Sequence, residues 1–176
     1  MVFPIWMTGG LATIGPVTDD AFRNSRRQQR GRMMVLESDD VLRQVILDAL
    51  GPAIPVVGAG FARQAFEFLT TGTVSIALVG LQVPDLNGPE LLRRVRQYLP
   101  ASKVIVISDS GNHELVRQVV ELGAVDFLEK PFSLTELYQS LDIAIRGLAR
   151  PLDVRTFQLR TNQRSRLRRQ ALLACA

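Results

Sequence analysis

Between residues 32 and 149 one pattern recurs five times: a short apolar run, then a longer stretch with apolar residues at helical spacing. The runs are "RMMVLES" (32–38), "AIPVVGA" (53–59), "VSIALVG" (74–80), "KVIVIS" (103–108) and "AVDFLEK" (124–130). The stretches are "DDVLRQVILDALG" (39–51), "FARQAFEFLTTG" (61–72), "GPELLRRVRQYLP" (88–100), "NHELVRQVVELG" (112–123) and "SLTELYQSLDIAIRGLA" (133–149). Strands that are apolar throughout are buried on both faces, as in a parallel sheet covered by helices. Right-handed crossovers put those helices on both sides. The pattern predicts an α/β fold, a doubly wound (βα)5 parallel sheet, with its functional edge at the carboxyl ends of the strands.

Local signals agree with this division. Asp39 or Asp40 stands where the first helix needs an N-cap, and Gly51-Pro52 stops it. Apolar residues at 41, 42, 45, 46 and 50 are expected to form its inner side, with Leu42, Val45 and Ile46 on the core face. Phe61, Ala65, Phe66 and Leu69 share one face of the second helix. Pro89 suits the first turn of the third, and Ser133 with Glu136 forms a capping-box pattern at the fifth.

The hydrophobic share of 47% supports a full core, and the net charge of +4 is uneven. Residues 1–32 carry +3, residues 151–176 carry +5, and the middle carries −4. We expect a flexible basic extension at 1–32, one domain at 33–149, and a basic tail at 150–176 with helical potential. Basic ends are ordinarily solvated tails, and they also invite nucleic acid or an anionic surface. Base-specific readout needs an element positioned in a groove, and none is visible. The apolar leader lacks a basic n-region and is broken by Pro4, Gly9, Gly10, Gly15 and Pro16, so no cleaved signal and no membrane span is expected. The single cysteine, Cys175, makes no internal disulfide, which fits a cytoplasmic location. Neither Cys175 nor the lone His113 sits in a metal-ligand or nucleophile–base pattern. "GAGFAR" (58–63) lacks the third glycine of a dinucleotide fingerprint and reads as a loop glycine pair.

Several groups converge on the carboxyl edge. Strand 1 ends in Glu37-Ser38-Asp39-Asp40, strand 3 in Gly80, strand 4 in Ser108-Asp109-Ser110, and strand 5 in Lys130-Pro131-Phe132. Lys130 stands out because the chain has two lysines against nineteen arginines. Lysine is a compact charge that reaches a single anionic oxygen.

With these residues in place, the segment from about 33 to 149 resembles the receiver domain of two-component response regulators. "LQVPDLNGPELLRRVR", "VIVIS" and "GAVDFLEKPF" carry the resemblance. It implies a flavodoxin-like sheet in the order 2-1-3-4-5. It also implies transfer of a phosphoryl group from a histidine kinase to an aspartate at the end of strand 3, with an acidic pair after strand 1 helping to bind Mg²⁺. A Ser or Thr on strand 4 and an aromatic on strand 5 would couple that site to a switch surface. Carried onto this chain, Lys130 and Pro131 match the Lys-Pro pair (usually joined by a cis peptide), Ser108 the switch hydroxyl and Phe127 the switch aromatic. Glu37 and Ser38 fall on the acidic pair, and Gly80 falls on the acceptor aspartate.

Three departures oppose the reaction. An acyl phosphate needs a carboxylate nucleophile, and Gly80 has none. Ser38 removes a carboxylate from the Mg²⁺ donors, leaving Glu37 and Asp39 as the residues to hold a metal if any is held. Asp109 adds negative charge beside the incoming group. Asp39, Asp40, Asp85 and Asp109 are the candidates for a displaced acceptor. Lys130, without a phosphate, is expected to pair with Glu37 or Asp109. The expectation is therefore a receiver protein of two-component signalling with a degenerate pocket, not an enzyme, needing no cofactor. It would act by protein–protein contact through the helix 4–strand 5–helix 5 face, with a histidine kinase, another response regulator or a second copy as partner. The competing readings are an active receiver with a displaced carboxylate and a nucleic-acid-binding regulator using the Arg-rich tail.

Overall fold

β-branched and apolar runs too short for helices pair side by side, and the intervening amphipathic stretches pack over them. The computed structural model describes residues 32–71, 74–109, 113–146 and 155. Its strands are β1 (Arg32–Leu36), β2 (Val56–Ala59), β3 (Val74–Gly80), β4 (Lys103–Ser108) and β5 (Asp126–Glu129). Its helices are α1 (Asp40–Leu50), α2 (Ala62–Thr71), α3 (Gly88–Tyr98), α4 (His113–Glu121) and α5 (Leu134–Arg146). All neighbouring strands are parallel, in the order β2-β1-β3-β4-β5. The expected fold class is the observed one. The N-terminal extension before residue 32 and the tail beyond 146, apart from Arg155, lie outside the described residues, as do Ser110 and Cys175.

The period of two along each strand divides the core into two layers. Met34, Leu36, Val79, Val106 and Phe127 face α2, α3 and α4. Met33, Val35, Leu78, Ile105 and Leu128 face α1 and α5. Alternate residues of the same buried strand thus supply both layers, which is why the runs read as continuously apolar.

Several boundaries shift for identifiable reasons. β2 starts at Val56, not 53, because the amides of Ala53 and Ile54 both return to the Leu50 carbonyl at 3.0 Å. β5 starts at Asp126, not 124, since the Ala124 amide still reaches back to Val119. Asp39, not Asp40, caps α1, accepting from the amides of Val41 and Leu42 at 2.9 and 3.0 Å. The expected core face of α1 needs correction: Val45 is 46% exposed and Val41 75%, whereas Ile46 and Leu50 are buried. At 100° per residue, the four-residue step from Ile46 to Leu50 defines the inner stripe, and Val45 falls outside it. Phe61 likewise leaves the expected face of α2; it precedes the helix, is exposed, and lies under the Arg63 guanidinium 5.1 Å from its ring centre.

Side chains then fasten the loops. Gly58 and Gly60 make room for neighbours, since a Cβ at Gly58 would meet the Leu47 side chain at 2.8 Å and one at Gly60 the Arg43 guanidinium at 3.1 Å. Ser133 and Glu136 form the reciprocal capping box, with Ser133 N donating to Glu136 Oε2 at 2.8 Å and Glu136 N to Ser133 Oγ at 3.2 Å. Arg96 on α3 donates to the carbonyls of Leu122 at 2.9 Å, Ser102 at 2.8 Å, and Gly123, tying α3 to the end of α4. Burial of that guanidinium lowers its pKa.

Asp85, in the loop after β3, reaches across to the start of α2, where it accepts from the amides of Ala62 at 2.8 Å and Arg63 at 3.0 Å. Desolvation opposes its ionisation, and the two amides outweigh it, so its carboxyl titrates below the ordinary value. A pKa lower in the folded chain than in the unfolded one gives stability that is fully present above the unfolded value. That stability is lost as pH falls through the folded value. Asp85→Ala should cost about 1 kcal/mol in urea denaturation at neutral pH, and the difference from wild type should shrink on acidification.

Candidate functional site

Parallel pairing of β1 with β3, in which Leu36 lies opposite Val79, brings Glu37 beside Gly80 just past the strand ends. The pairing of β4 with β5 sets Ser108 opposite Glu129, one residue before Lys130. Local turns therefore need do little to assemble the rim. Glu37, Ser38, Gly80, Ser108, Asp109 and Lys130 all come to it from four different strands, and Pro131 follows Lys130 through a cis peptide bond.

The centre of the rim is an ion pair. Lys130 Nζ donates to Glu37 Oε1 at 2.9 Å. Glu37 has 1% of its side-chain surface exposed and Lys130 has 17%. The same Oε1 accepts the Asp39 amide at 3.0 Å. Asp109 lies 3.6 Å from Lys130, with 62% of its side chain exposed, and adds a weaker second anion. Arg43 fixes the backbone beneath by donating to the Glu37 carbonyl at 2.6 Å.

Gly80 is the counterpart of this pair. A Cβ built at residue 80 would lie 2.7 Å from Glu37 Oε2 and 3.0 Å from the Leu36 carbonyl oxygen. The glutamate carboxylate, carried inward by its longer side chain, thus stands against the face of Gly80, in space that a side chain there would need. Its Oε2 is buried and has no hydrogen-bond partner in the described structure.

A second set of contacts is uncharged. The Ser38 hydroxyl donates to the Gln82 carbonyl, and the Gln82 side-chain amide donates to Ser108 Oγ at 2.8 Å. Gln82 was not singled out from the sequence; its place two residues after Gly80, at the same strand end, was the available signal. Phe127 is fully buried on β5 in the layer shared with α4, and pairs in register with Val106.

Three of the four alternative carboxylates are engaged elsewhere, and the fourth, Asp109, stays at the rim beside Lys130. Asp39 Oδ1 holds the α1 cap, and its pKa is lowered first by the Leu42 amide, with the Val41 amide, Lys130 and Arg43 acting in the same direction. Asp40 pairs with Arg43, and Asp85 caps α2. His113 opens α4.

Three substitutions probe this arrangement. Gly80→Ala should destabilise the chain by about 1–3 kcal/mol, because the new methyl overlaps a buried carboxylate. The loss should be smaller when measured in a Glu37→Ala background; equal losses in both would contradict the overlap. Lys130→Met leaves Glu37 buried without its cation and should cost about 3–5 kcal/mol. Asp109→Asn should cost less than about 1 kcal/mol, as its exposed pairing is screened by water.

Comparison with known proteins matches the fold. The profile of the response regulator receiver domain covers residues 33–142. The chain is 30% identical over 124 residues to the DNA-binding transcriptional regulator NtrC of Klebsiella pneumoniae, covering 66% of this chain and 25% of that protein. It is 30% identical over 121 residues to the transcriptional regulatory protein FixJ of Bradyrhizobium diazoefficiens, covering 66% of this chain and 58% of that one. The chain thus spans from about a quarter to somewhat over half the length of these relatives. Among solved structures, the receiver domain of an HD domain-containing protein from Pseudomonas fluorescens superposes with a TM-score of 0.63 at 25% identity, covering 68% of this chain and 97% of that one. A CheY-like receiver domain from Methanospirillum hungatei gives 0.63 at 19% identity, covering 66% and 94%. With a matching profile over most of its length and the β2-β1-β3-β4-β5 sheet, the chain belongs to the response regulator receiver domain family.

Proposed function

We propose that this chain is a phosphorylation-independent receiver, a docking module of two-component signalling that works without acyl-phosphate chemistry. One observation carries the reading: Lys130 is already neutralised by Glu37, whose carboxylate fills the space beside Gly80. An aspartyl phosphate needs a carboxylate on that strand end, and a phosphoryl group there would compete with a buried glutamate for the same ammonium.

The donor chemistry supports the same reading for Mg²⁺. This ion takes oxygen ligands in near-octahedral geometry through one or two carboxylates, water and phosphate oxygens. Here Glu37 Oε1 is held by Lys130 and the Asp39 amide, Asp39 Oδ1 is held by the α1 amides, and residue 38 offers a hydroxyl already donated to a carbonyl. Among the buried oxygens here only Glu37 Oε2, set against Gly80, is left without a partner, and with the acceptor carboxylate and the second acidic residue missing the residues present do not suit the ion. Of the carboxylates that could replace the acceptor, Asp39 and Asp85 are spent on helix caps, Asp40 pairs with Arg43, and Asp109 pairs with Lys130.

The output is protein–protein contact through the face formed by α4, β5 and α5. Phe127 lies buried beneath that face, in the core layer it shares with α4. The partner is a signalling protein, a histidine kinase or another response regulator, or a second copy of this chain. The reading places the chain in the cytoplasm and assigns it no catalytic activity; no helix among the described residues is long and apolar enough to cross a membrane.

Incubation of the purified chain with acetyl phosphate and Mg²⁺, read by intact mass, tests this. No phosphoryl adduct and no Mg²⁺-dependent spectral change are expected. Gly80→Asp alone should also stay unmodified, because the new side chain meets Glu37 while Ser38 and Asp109 remain. A stable acyl phosphate on the unaltered chain would overturn the reading.

A further inference from the structure

Ser108 closes β4 with no solvent exposure, and its hydroxyl accepts at 2.8 Å from the Gln82 side-chain amide. Gln82 is otherwise exposed, in the loop after β3, so the amide reaches inward from a solvated position to a buried hydroxyl. Its backbone is held in turn, because the Ser38 hydroxyl donates to the Gln82 carbonyl. Side chains thereby link the ends of β1, β3 and β4, three adjacent strands of the sheet.

From Ser108 the connection runs into β5 and α4. The Ser108 carbonyl accepts the Lys130 amide at 2.9 Å. Two residues earlier on β4, Val106 pairs with Phe127, which shares its core layer with Val116 and Val119 of α4. A displacement of the β4 end would therefore be felt at β5 and α4 first. It would be felt least at β2, on the opposite side of the sheet.

A primary amide is neutral and supplies N–H donors, so it can satisfy the hydroxyl's lone pair without bringing charge to a rim that already holds Glu37 and Asp109. A carboxylate of the same length has no donor and would add a third anion. The choice of amide over acid is what this position needs if the rim is complete by itself.

We propose that Gln82 is a positioning residue: its amide holds Ser108, and through Ser108 the β4–β5 pair and α4, in one arrangement without any bound group. The inference rests on the reading of the chain as phosphorylation-independent and names the residue that fixes its state.

Native-state amide hydrogen exchange on the full chain tests it, with Gln82→Ala, Gln82→Met and Ser108→Ala. The first two should raise exchange roughly 3- to 10-fold at the end of β4, in α4 and in β5, the range expected for one side-chain hydrogen bond. Amides of β2 should keep their wild-type rates. Gln82→Met keeps the side-chain length and loses the amide without adding charge, so it separates hydrogen bonding from packing. Gln82→Ala/Ser108→Ala should exchange no faster than the Ser108→Ala single variant. Unchanged rates, a uniform rise across all five strands, or additive effects in the double variant would each overturn the proposal. None of these readouts depends on phosphorylation. An unmodified chain insensitive to Gln82 refutes this inference alone, while an acyl phosphate on the unaltered chain refutes the reading beneath it.

Discussion

A lysine ammonium at the end of β5 and a glutamate at the end of β1 meet across two intervening strands, and the geometry of the rim follows from that meeting. Both groups are largely withdrawn from water, so each is costly without the other. The pair sets what residue 80 can be, since the carboxylate lies against it. It also orients the start of α1, through the Asp39 amide on the shared oxygen, and draws Asp109 toward the same cation. Charge ties β1 to β4 and β5, while the Ser38–Gln82–Ser108 contacts tie β1 to β3 and β4. The two ties share no side chain, so loss of one leaves the other in place.

Much of this was legible in the sequence. Strands composed almost wholly of Val, Ile, Leu and Met could hardly be anything but central parallel strands, and capping residues such as Asp39 and Ser133 placed the helix starts to within a residue. Less legible were positions decided by angle or tertiary contact. Val45 looks like a core residue by composition and is exposed because the inner stripe of α1 runs through Ile46 and Leu50. Phe61 belongs to the turn before α2, where an arginine covers it.

The site divides in the same way. That a lysine, a hydroxyl and several carboxylates gather at one edge follows from the order of elements. That Glu37 reaches the space beside Gly80 does not, because it depends on the register of two strands more than forty residues apart and on the extra methylene of glutamate. Gln82 was hidden for a related reason. Its backbone and side chain act on different partners, and neither contact leaves a periodic trace in the sequence.

The loop "LQVPDLNG" after β3 lies within the stretch that matches the family, and three of its residues have mechanical tasks. Asp85 fastens it to α2, Asn87 caps α3 by accepting the Glu90 amide, and Gly88 clears the side chain of Leu81. None of these tasks involves a phosphoryl group. The loop is joinery between two helices and a strand, and joinery must be kept for as long as the fold is kept, whether or not any reaction takes place beside it. Resemblance measured over such a stretch therefore records the survival of a scaffold. The state of the chemistry has to be read at Glu37, Gly80 and Lys130, where the residue types decide whether a carboxylate and a free ammonium are presented.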